Sequence, residues 1–302
     1  WSYWTGDWVV SSPAIVNGVV YVGSNDNKVY ALNAATGAKK WSYTTGDYYN
    51  TTGDSVSSSP AVANGIVYVG SEDGKVYALN AQTGTKLWSY WTGDWVVSSP
   101  AIVNGIVYVG SNNNKVYALN AATGAKKWSY TTGDDVSSSP AVANGIVYVG
   151  SNDNKVYALN AATGAKKWSY TTGDWVDSSP AVVNGVVYVG GDDNKLYAFG
   201  PSLTTLTIAT SPTAPKLNVA FTVSGTLKSG TSGLKGLSVH LERKIVGGSW
   251  TTVAGATKNT GTGGVVSVSQ KVTSHNTYSY RWHFIGTASY QPSYSPVKTF
   301  TV

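Results

Sequence analysis

One phrase of about forty residues, written five times across the first two thirds of the chain, limits the fold more than any other feature. Its anchors are Pro13, Pro60, Pro100, Pro140 and Pro180; the last four are spaced by 40 residues and the first gap is 47. Four-stranded propeller blades and some helical repeats share that period. The copy at residues 137–168 reads SSSPAVANGIVYVGSNDNKVYALNAATGAKKW and is strand-like throughout. Asn144-Gly145 separates two apolar runs, and Asn-Gly favours a two-residue type I′ hairpin because both central residues need φ > 0. Ser151 to Asn154 turns the chain again, and Thr163-Gly164 a third time, into Lys167-Trp168-Ser169-Tyr170. Four short strands joined by tight turns predict an antiparallel blade, not a helix pair.

The two ends of the array are cut in complementary places. The phrase ALNAATGAKKW at Ala158–Trp168 has counterparts at Ala31–Trp41, Ala78–Trp88 and Ala118–Trp128, but the fifth copy stops at Ala198-Phe199-Gly200. Its missing strand matches Trp1-Ser2-Tyr3 at the other end. The expectation is therefore an all-β chain whose five-bladed β-propeller is closed by the N-terminal strand, with Trp1–Trp4 completing the blade of residues 177–199. Closure of this kind hides a sheet edge that would otherwise template aggregation. The repeated VYVGS, the acidic turn and the ALNAATG phrase with its final Trp resemble the tryptophan-docking repeat of the PQQ-like, quinoprotein-type β-propeller family. The resemblance spans residues 1–199 and implies kinship with quinoprotein dehydrogenases or outer-membrane assembly scaffolds, which carry seven or eight blades. Five near-identical copies imply recent amplification or deliberate design.

A composition break at Gly200-Pro201-Ser202 predicts two domains, residues 1–200 and 201–302. Before it, 12 Lys face 14 acidic residues, net −2; after it, 7 Lys and 2 Arg face Glu242 alone, net +8. The second part alternates apolar and polar residues at Thr204–Ile208, Val219–Leu227, Leu237–Lys244, Ser249–Val253, Gly264–Val272, Thr277–Ile285 and Val297–Val302. Seven short strands predict an Ig-like β-sandwich. Its phrases FTVSGTL, WTTVA and YSYRWHFIGTASY resemble Ig-like modules of archaeal, especially methanogen, and bacterial surface proteins. All three histidines, His240, His275 and His283, lie here and read as surface or packing residues. Zero Cys excludes disulfides, thiolate nucleophiles and Cys-ligated metals. No run of eighteen apolar residues, no signal peptide before Trp1 and no Met describe an expected processed or trimmed chain that spans no membrane. Low charge with abundant Gly, Ser, Thr, Asn, Tyr and Trp suits an extracellular β-protein.

Candidate functional residues fall on loops that join one blade to the next, the usual place for function on such scaffolds. They are Trp4, Trp8, Trp91, Trp95 and Trp175, with Asp7, Asp54, Asp94, Asp134 and Asp174 each six residues before a repeat proline. The aspartates read first as turn caps and second as a carboxylate ring able to hold a hydrated cation. The phrase tryptophans Trp1, Trp41, Trp88, Trp128 and Trp168 are expected to pack between blades. Trp8, Trp95 and Trp175 are replaced by Ser55 and Asp135 in the other copies, so the fold does not require them; sugar stacking and interblade packing both remain open. Tyr48 and Tyr49 sit in the seven-residue insertion of the first loop, beside Asn50, an N-x-T glycosylation candidate. The turns Asn25-Asp26-Asn27, Glu72-Asp73-Gly74, Asn112-Asn113-Asn114, Asn152-Asp153-Asn154 and Asp192-Asp193-Asn194 lack the ligand array of a calcium loop. No metal and no cofactor are assigned.

The functional expectation is a non-enzymatic extracellular surface protein, a structural or interaction module that assembles head-to-tail, with other copies of itself or cell-surface glycans and proteins as partners. A carbohydrate-binding adhesion module is the alternative. A quinoprotein-type dehydrogenase ranks lower: the resemblance would bring a quinone, a calcium ion and adjacent cysteines, and no blade departs from its siblings as an asymmetric active site demands. Nucleic acid is not expected, because no basic cluster accompanies a reading helix or stacking signature.

Overall fold

The structure is a computed structural model that describes residues 1–46, 54–287 and 290–302. The described residues contain no α-helix, only strands, turns and one short 3-10 turn at Thr262–Gly264. The chain divides into two units, Trp1–Phe199 and Gly200–Val302.

The first unit is a succession of antiparallel sheets. They are β1 (Ala14–Val16), β2 (Val19–Ser24), β3 (Lys28–Asn33) and β4 (Lys39–Thr44); β5 (Ala61–Ala63), β6 (Ile66–Gly70), β7 (Lys75–Asn80) and β8 (Lys86–Trp91); β9 (Ala101–Val103), β10 (Ile106–Ser111), β11 (Lys115–Asn120) and β12 (Lys126–Thr131); β13 (Ala141–Ala143), β14 (Ile146–Ser151), β15 (Lys155–Asn160) and β16 (Lys166–Thr171); and a three-stranded last sheet of β17 (Ala181–Val183), β18 (Val186–Gly191) and β19 (Lys195–Phe199). Each strand pairs with its sequence neighbour, as a chain folding through tight turns must. The Asn-Gly hairpins adopt the predicted left-handed pair, with φ near 50° at Asn144 and 72° at Gly145. A register slip recurs in every complete sheet, between Ala158 and Leu159 and at the equivalent places, where the docking Trp faces its alanine.

The apolar residues of neighbouring sheets share cores: Tyr68, Val76 and Trp88 of the second sheet pack with Val107, Val109, Tyr117 and Leu119 of the third. Of the phrase tryptophans, Trp41, Trp88, Trp128 and Trp168 lie in these junctions, whereas Trp1, with no sheet before it, is 63% exposed. The indole N–H of Trp41 donates to the carbonyl of Ala81, that of Trp88 to Ala121 and that of Trp128 to Ala161, each at 2.9 Å. Each ring lies against a turn glycine, Gly84, Gly124 and Gly164, where a Cβ would overlap the indole. Burying so large an aromatic with its one polar atom satisfied is worth about 2–3 kcal/mol per junction.

The expected closure by the N-terminal strand is not what the structure contains. Residues 1–4 form no strand pairing, and β19 pairs only with β18. Residues 1–12 instead rest on the first sheet in the seat that a preceding sheet's outer strand would fill. Trp1 donates to the carbonyl of Ala34 at 3.1 Å, and Tyr3 packs on Tyr30 with ring centroids 5.7 Å apart. The physical reason is that side-chain docking to the next sheet and backbone pairing within a sheet are separate contacts. The first is satisfied here without the second.

The second unit has two antiparallel sheets that share one core. The first sheet is built on β20 (Thr205–Leu206), β21 (Ala209–Ser211), β22 (Ala220–Ser229) and β23 (Ser232–Gly233); the second begins with β24 (Ser238–Ile245) and β25 (Thr251–Asn259); β26 (Val265–Lys271) returns to β22, while β27 (Thr277–Phe284), β28 (Ser293–Tyr294) and β29 (Lys298–Thr301) join β24. Leu241, Tyr280 and Trp282 of one sheet are fully buried with Val223 and Leu227 of the other. The strand expected at Thr204–Ile208 is split between β20 and β21, and the one expected at Ser249–Val253 extends to Asn259.

Candidate functional site

The loops that enter each sheet are organised by their aspartates. The carboxylate Oδ1 of Asp7, Asp94, Asp134 and Asp174 accepts the N–H of the next residue at 2.7–2.9 Å. The threonine two residues earlier donates its hydroxyl to the aspartate carbonyl, Thr92 to Asp94 at 2.8 Å and Thr132 to Asp134 at 2.7 Å. These are side-chain-capped turns, the structural role weighed first from sequence. Asp54, the fifth of the set, is buried.

At the position after each aspartate the contact that all five copies share is made by the backbone. The carbonyls of Trp8, Ser55, Trp95, Asp135 and Trp175 accept N–H groups from Asn25, Glu72, Asn112, Asn152 and Asp192, at 2.8–3.0 Å. The side chain there is free to vary, which is why Ser and Asp can stand where three copies carry Trp. Trp8, Trp95 and Trp175 are all exposed, at 76%, 41% and 50%. Trp4 is also exposed, and Trp91 is exposed to about the same degree as Trp175; its ring lies against Gly74, with the Lys75 ammonium 5.6 Å from the ring centre. Gly74 replaces the Asn found in the other four copies, and a Cβ there would meet the Trp91 ring.

A second set of residues, read from sequence only as turn formers, holds these loops in place. Asp73, Asp153 and Asp193 each accept through Oδ2 the N–H of a glycine in the preceding loop, Gly46, Gly133 and Gly173, at 2.8–3.0 Å. The same oxygen takes a tyrosine hydroxyl four residues on: Tyr77 to Asp73 at 2.5 Å, Tyr197 to Asp193 at 2.6 Å, and Tyr157 to Asp153. A lysine two residues on adds an ion pair, Lys75 at 3.0 Å and Lys195 at 2.9 Å. Burial, then the neighbouring carboxylate, raises Tyr77 and Tyr157 well above the usual phenol range. The Tyr197 hydroxyl and Lys195 lower Asp193 to about 2. Where Asn113 replaces the aspartate, its amide donates to the Thr92 carbonyl and lies 2.6 Å from the Tyr117 hydroxyl, and no ion pair forms. The D-x-K-x-Y spacing, with side chains two and four apart on one strand face, was the signal available in the sequence.

The loop face is acidic. Burial, together with Asp134, Asp94 and Asp177, raises the Asp135 carboxyl; burial and Asp192 raise Asp177; burial and Asp54 raise Glu72 against the bond from Ser57. Among the described residues, no three carboxylates or imidazoles converge as a metal site would require. Tyr48, Tyr49 and Asn50 lie outside the described residues. Away from the aspartate loops, at the ends of the sheets that carry the Asn-Gly hairpins, clefts of about 460 and 490 Å³ recur between neighbouring sheets, lined by Asn104, Ile106 and either Tyr68 with Lys127 or Tyr108 with Lys167. The repeat makes them equivalent.

A family model described as outer membrane protein assembly factor BamB matches residues 1–91, 48–137 and 132–207 of the chain. No curated protein matches it. Among solved structures, the crystal structure of BamB from Moraxella catarrhalis is similar at 18% identity, with 90% of this chain and 86% of that chain covered and a TM-score of 0.57. The computationally designed Ika8 protein is similar at 17% identity over 63% of this chain and 70% of that one, with a TM-score of 0.46.

Proposed function

The chain belongs, through residues 1–207, to the family of the outer membrane protein assembly factor BamB, a β-propeller of PQQ-like repeats, and from that premise we propose that it is a non-catalytic interaction scaffold working outside the cell. In this reading its five sheets are the blades of one propeller unit, and the second unit is an Ig-like sandwich. The observation that carries the reading is the set Trp8, Trp95 and Trp175, exposed at a position where the contact shared by all five copies is a backbone carbonyl. Exposed indoles that packing does not require, set among carboxylates, suit a partner surface with cationic and apolar groups. The second unit, net +8, has the matching charge, so a head-to-tail contact between copies at the cell surface is the assembly proposed. A carbohydrate partner is the second reading, supported by the same indoles. The equivalence of the sheets argues against a quinoprotein active site.

The test is the triple variant Trp8→Ala, Trp95→Ala, Trp175→Ala, followed by sedimentation at low and high salt and by glycan-array binding. The expected result is loss of a salt-sensitive self-association with the fold kept and the melting temperature lowered only modestly, because Trp8 is mostly exposed and Trp95 and Trp175 are about half covered. Loss of glycan binding instead would select the second reading. An unaltered variant in both assays would place the function elsewhere.

A further inference from the structure

All four described junctions between neighbouring sheets share one contact, and one half of it is left over at each end of the array. That contact is a valine seated on a glycine. Val56, Val96, Val136 and Val176 cover Gly23, Gly70, Gly110 and Gly150, at each of which a Cβ would overlap the valine carbonyl oxygen. Each valine N–H also donates to the preceding sheet, to the carbonyls of Ser24, Ser71, Ser111 and Ser151 at 3.1–3.3 Å. The next glycine in the series is Gly190, and no valine covers it: the nearest atom to a Cβ there is Ser178 Oγ at 3.4 Å. The corresponding valine without a glycine is Val9, 49% exposed where its four counterparts are 0% exposed.

Two further sets of contacts stop at the same places. Ser58, Ser98 and Ser138 donate their hydroxyls to the carbonyls of Ser98, Ser138 and Ser178, whereas Ser178 turns back to its own sheet, to the Gly190 carbonyl at 2.7 Å. Leu196 on β19 is 75% exposed, while its counterparts Val76, Val116 and Val156 are 0% exposed under the next sheet. The backbone is complementary too. Residues 1–8, WSYWTGDW, repeat residues 88–95 letter for letter, and in the second sheet Trp91, Tyr90, Ser89 and Trp88 pair with Lys75, Val76, Tyr77 and Ala78. The equivalent pairing sets Trp4, Tyr3, Ser2 and Trp1 against Lys195, Leu196, Tyr197 and Ala198. Both edges of that pairing are unoccupied.

The geometry points to a second copy of this chain as the occupant: residues 1–12 of one molecule complete the β17–β18–β19 sheet of another, through one more junction of the kind repeated inside the molecule. The own N-terminal segment is the poorer occupant. Residues 1–12 are already held on the first sheet, and bringing that sheet to β19 would change the angle at several junctions at once, each packed through fully buried valines. Adding a copy repeats the junction as it stands and disturbs none. The contact is heterologous, so it propagates into a ring of few copies or an open filament, and it covers a β-edge that would otherwise invite unspecific pairing. It uses apolar packing and backbone pairing, and it does not depend on the loop-face reading above.

The experiment uses the full chain. Gly190→Ala, harmless to the isolated molecule because its Cβ meets only Ser178 Oγ, is compared with the unaltered chain by sedimentation across a concentration series at high salt. The expected result is a concentration-dependent oligomer for the unaltered chain, a monomer for the variant, and the same melting temperature in dilute solution. Because the protein has no cysteine, Trp4→Cys with Lys195→Cys adds a second readout. Directly paired positions lie within disulfide reach, and oxidation is expected to give ladders of two and more chains on a non-reducing gel. A single cross-linked chain would mean self-closure and would overturn the proposal. So would a monomer at every concentration, the absence of any cross-link, or an oligomer that Gly190→Ala leaves intact. Loss of association in the triple tryptophan variant alone would bear on the loop face and not on this seam.

Discussion

Gly150 and Gly190 occupy the same place in two copies of nearly the same sequence, yet one lies under a valine and the other has only its own sheet's Ser178 beside it. The local structure around them is alike: both stand one residue before the end of the second strand of their sheet, and each donates its N–H to a serine hydroxyl twelve residues back, Ser138 at 3.0 Å and Ser178 at 2.8 Å. What differs is whether another sheet follows. The comparison teaches that the repeat encodes a sheet together with two half-junctions, and that burial at any position belongs to the pair of sheets and not to the copy. A residue such as Leu196 is written as core by its pattern and becomes surface by its place in the array.

The strongest way to sharpen the contrast is to remove the same aromatic from an inner and an outer place. Trp128→Ala should lose about 3–5 kcal/mol of unfolding free energy, because it empties a packed junction and leaves the Ala161 carbonyl with the Tyr108 hydroxyl alone. Trp1→Ala, at a docking place that is mostly exposed, should lose less than about 1 kcal/mol. Equal losses in denaturant titrations would show that the outer junction is closed in solution.

A smaller contrast comes from the serines. Ser98 accepts the Gly110 N–H at 2.9 Å and donates to Ser138 at 3.0 Å inside the array. Ser98→Ala leaves a buried N–H without a partner and should cost about 1–3 kcal/mol. Ser178→Ala, at the exposed end, should stay within about 0.5 kcal/mol of the parent, measured in the same titrations. A cost at Ser178 as large as at Ser98 would break the comparison.

The smallest expected effect tests the acidic loop face. Burial and three neighbouring aspartates raise Asp135 above its ordinary 3.8, so the folded chain holds this proton to higher pH than the unfolded chain. Stability from this group is therefore present at low pH and is lost as pH rises through the folded value. Asp135→Asn should give a slightly higher melting temperature at pH 7, and the gain should fade as pH drops through the ordinary carboxyl value and vanish below about pH 3, where the parent carboxyl is protonated in both states. A lower melting temperature at pH 7 would mean that the carboxylate makes a stabilising contact.

The strand pattern, the hairpins and the interblade tryptophans were legible because each follows from neighbours in sequence or from a repeat spacing. Asn144-Gly145 turns where φ > 0 is needed, and Trp128 docks one repeat onward. The aspartate caps were also legible, since Asp94 bonds the residue beside it. The clamp made by Asp73, Tyr77 and Lys75 on Gly46 was missed, because its purpose lies in the preceding loop, 27 residues away. Of the proposed partner face, the sequence marked Trp8, Trp95 and Trp175 as dispensable to the fold by their replacement with Ser55 and Asp135, and the structure supplied the reason, a shared carbonyl contact.

The sequence by itself determined the all-β class, the period and the contents of each sheet, because turn chemistry and alternation act over a few residues and repeat without reference to the whole. Whether the array closes was decided only in three dimensions. The matching ends of the sequence permit ring closure, self-association and an open edge alike, since all three use the same pairing of Trp1–Trp4 with a strand like β19. The choice among them rests on how each sheet seats on the next, Val176 on Gly150 and Trp128 on Gly164, and a contact between two copies is invisible in either copy alone.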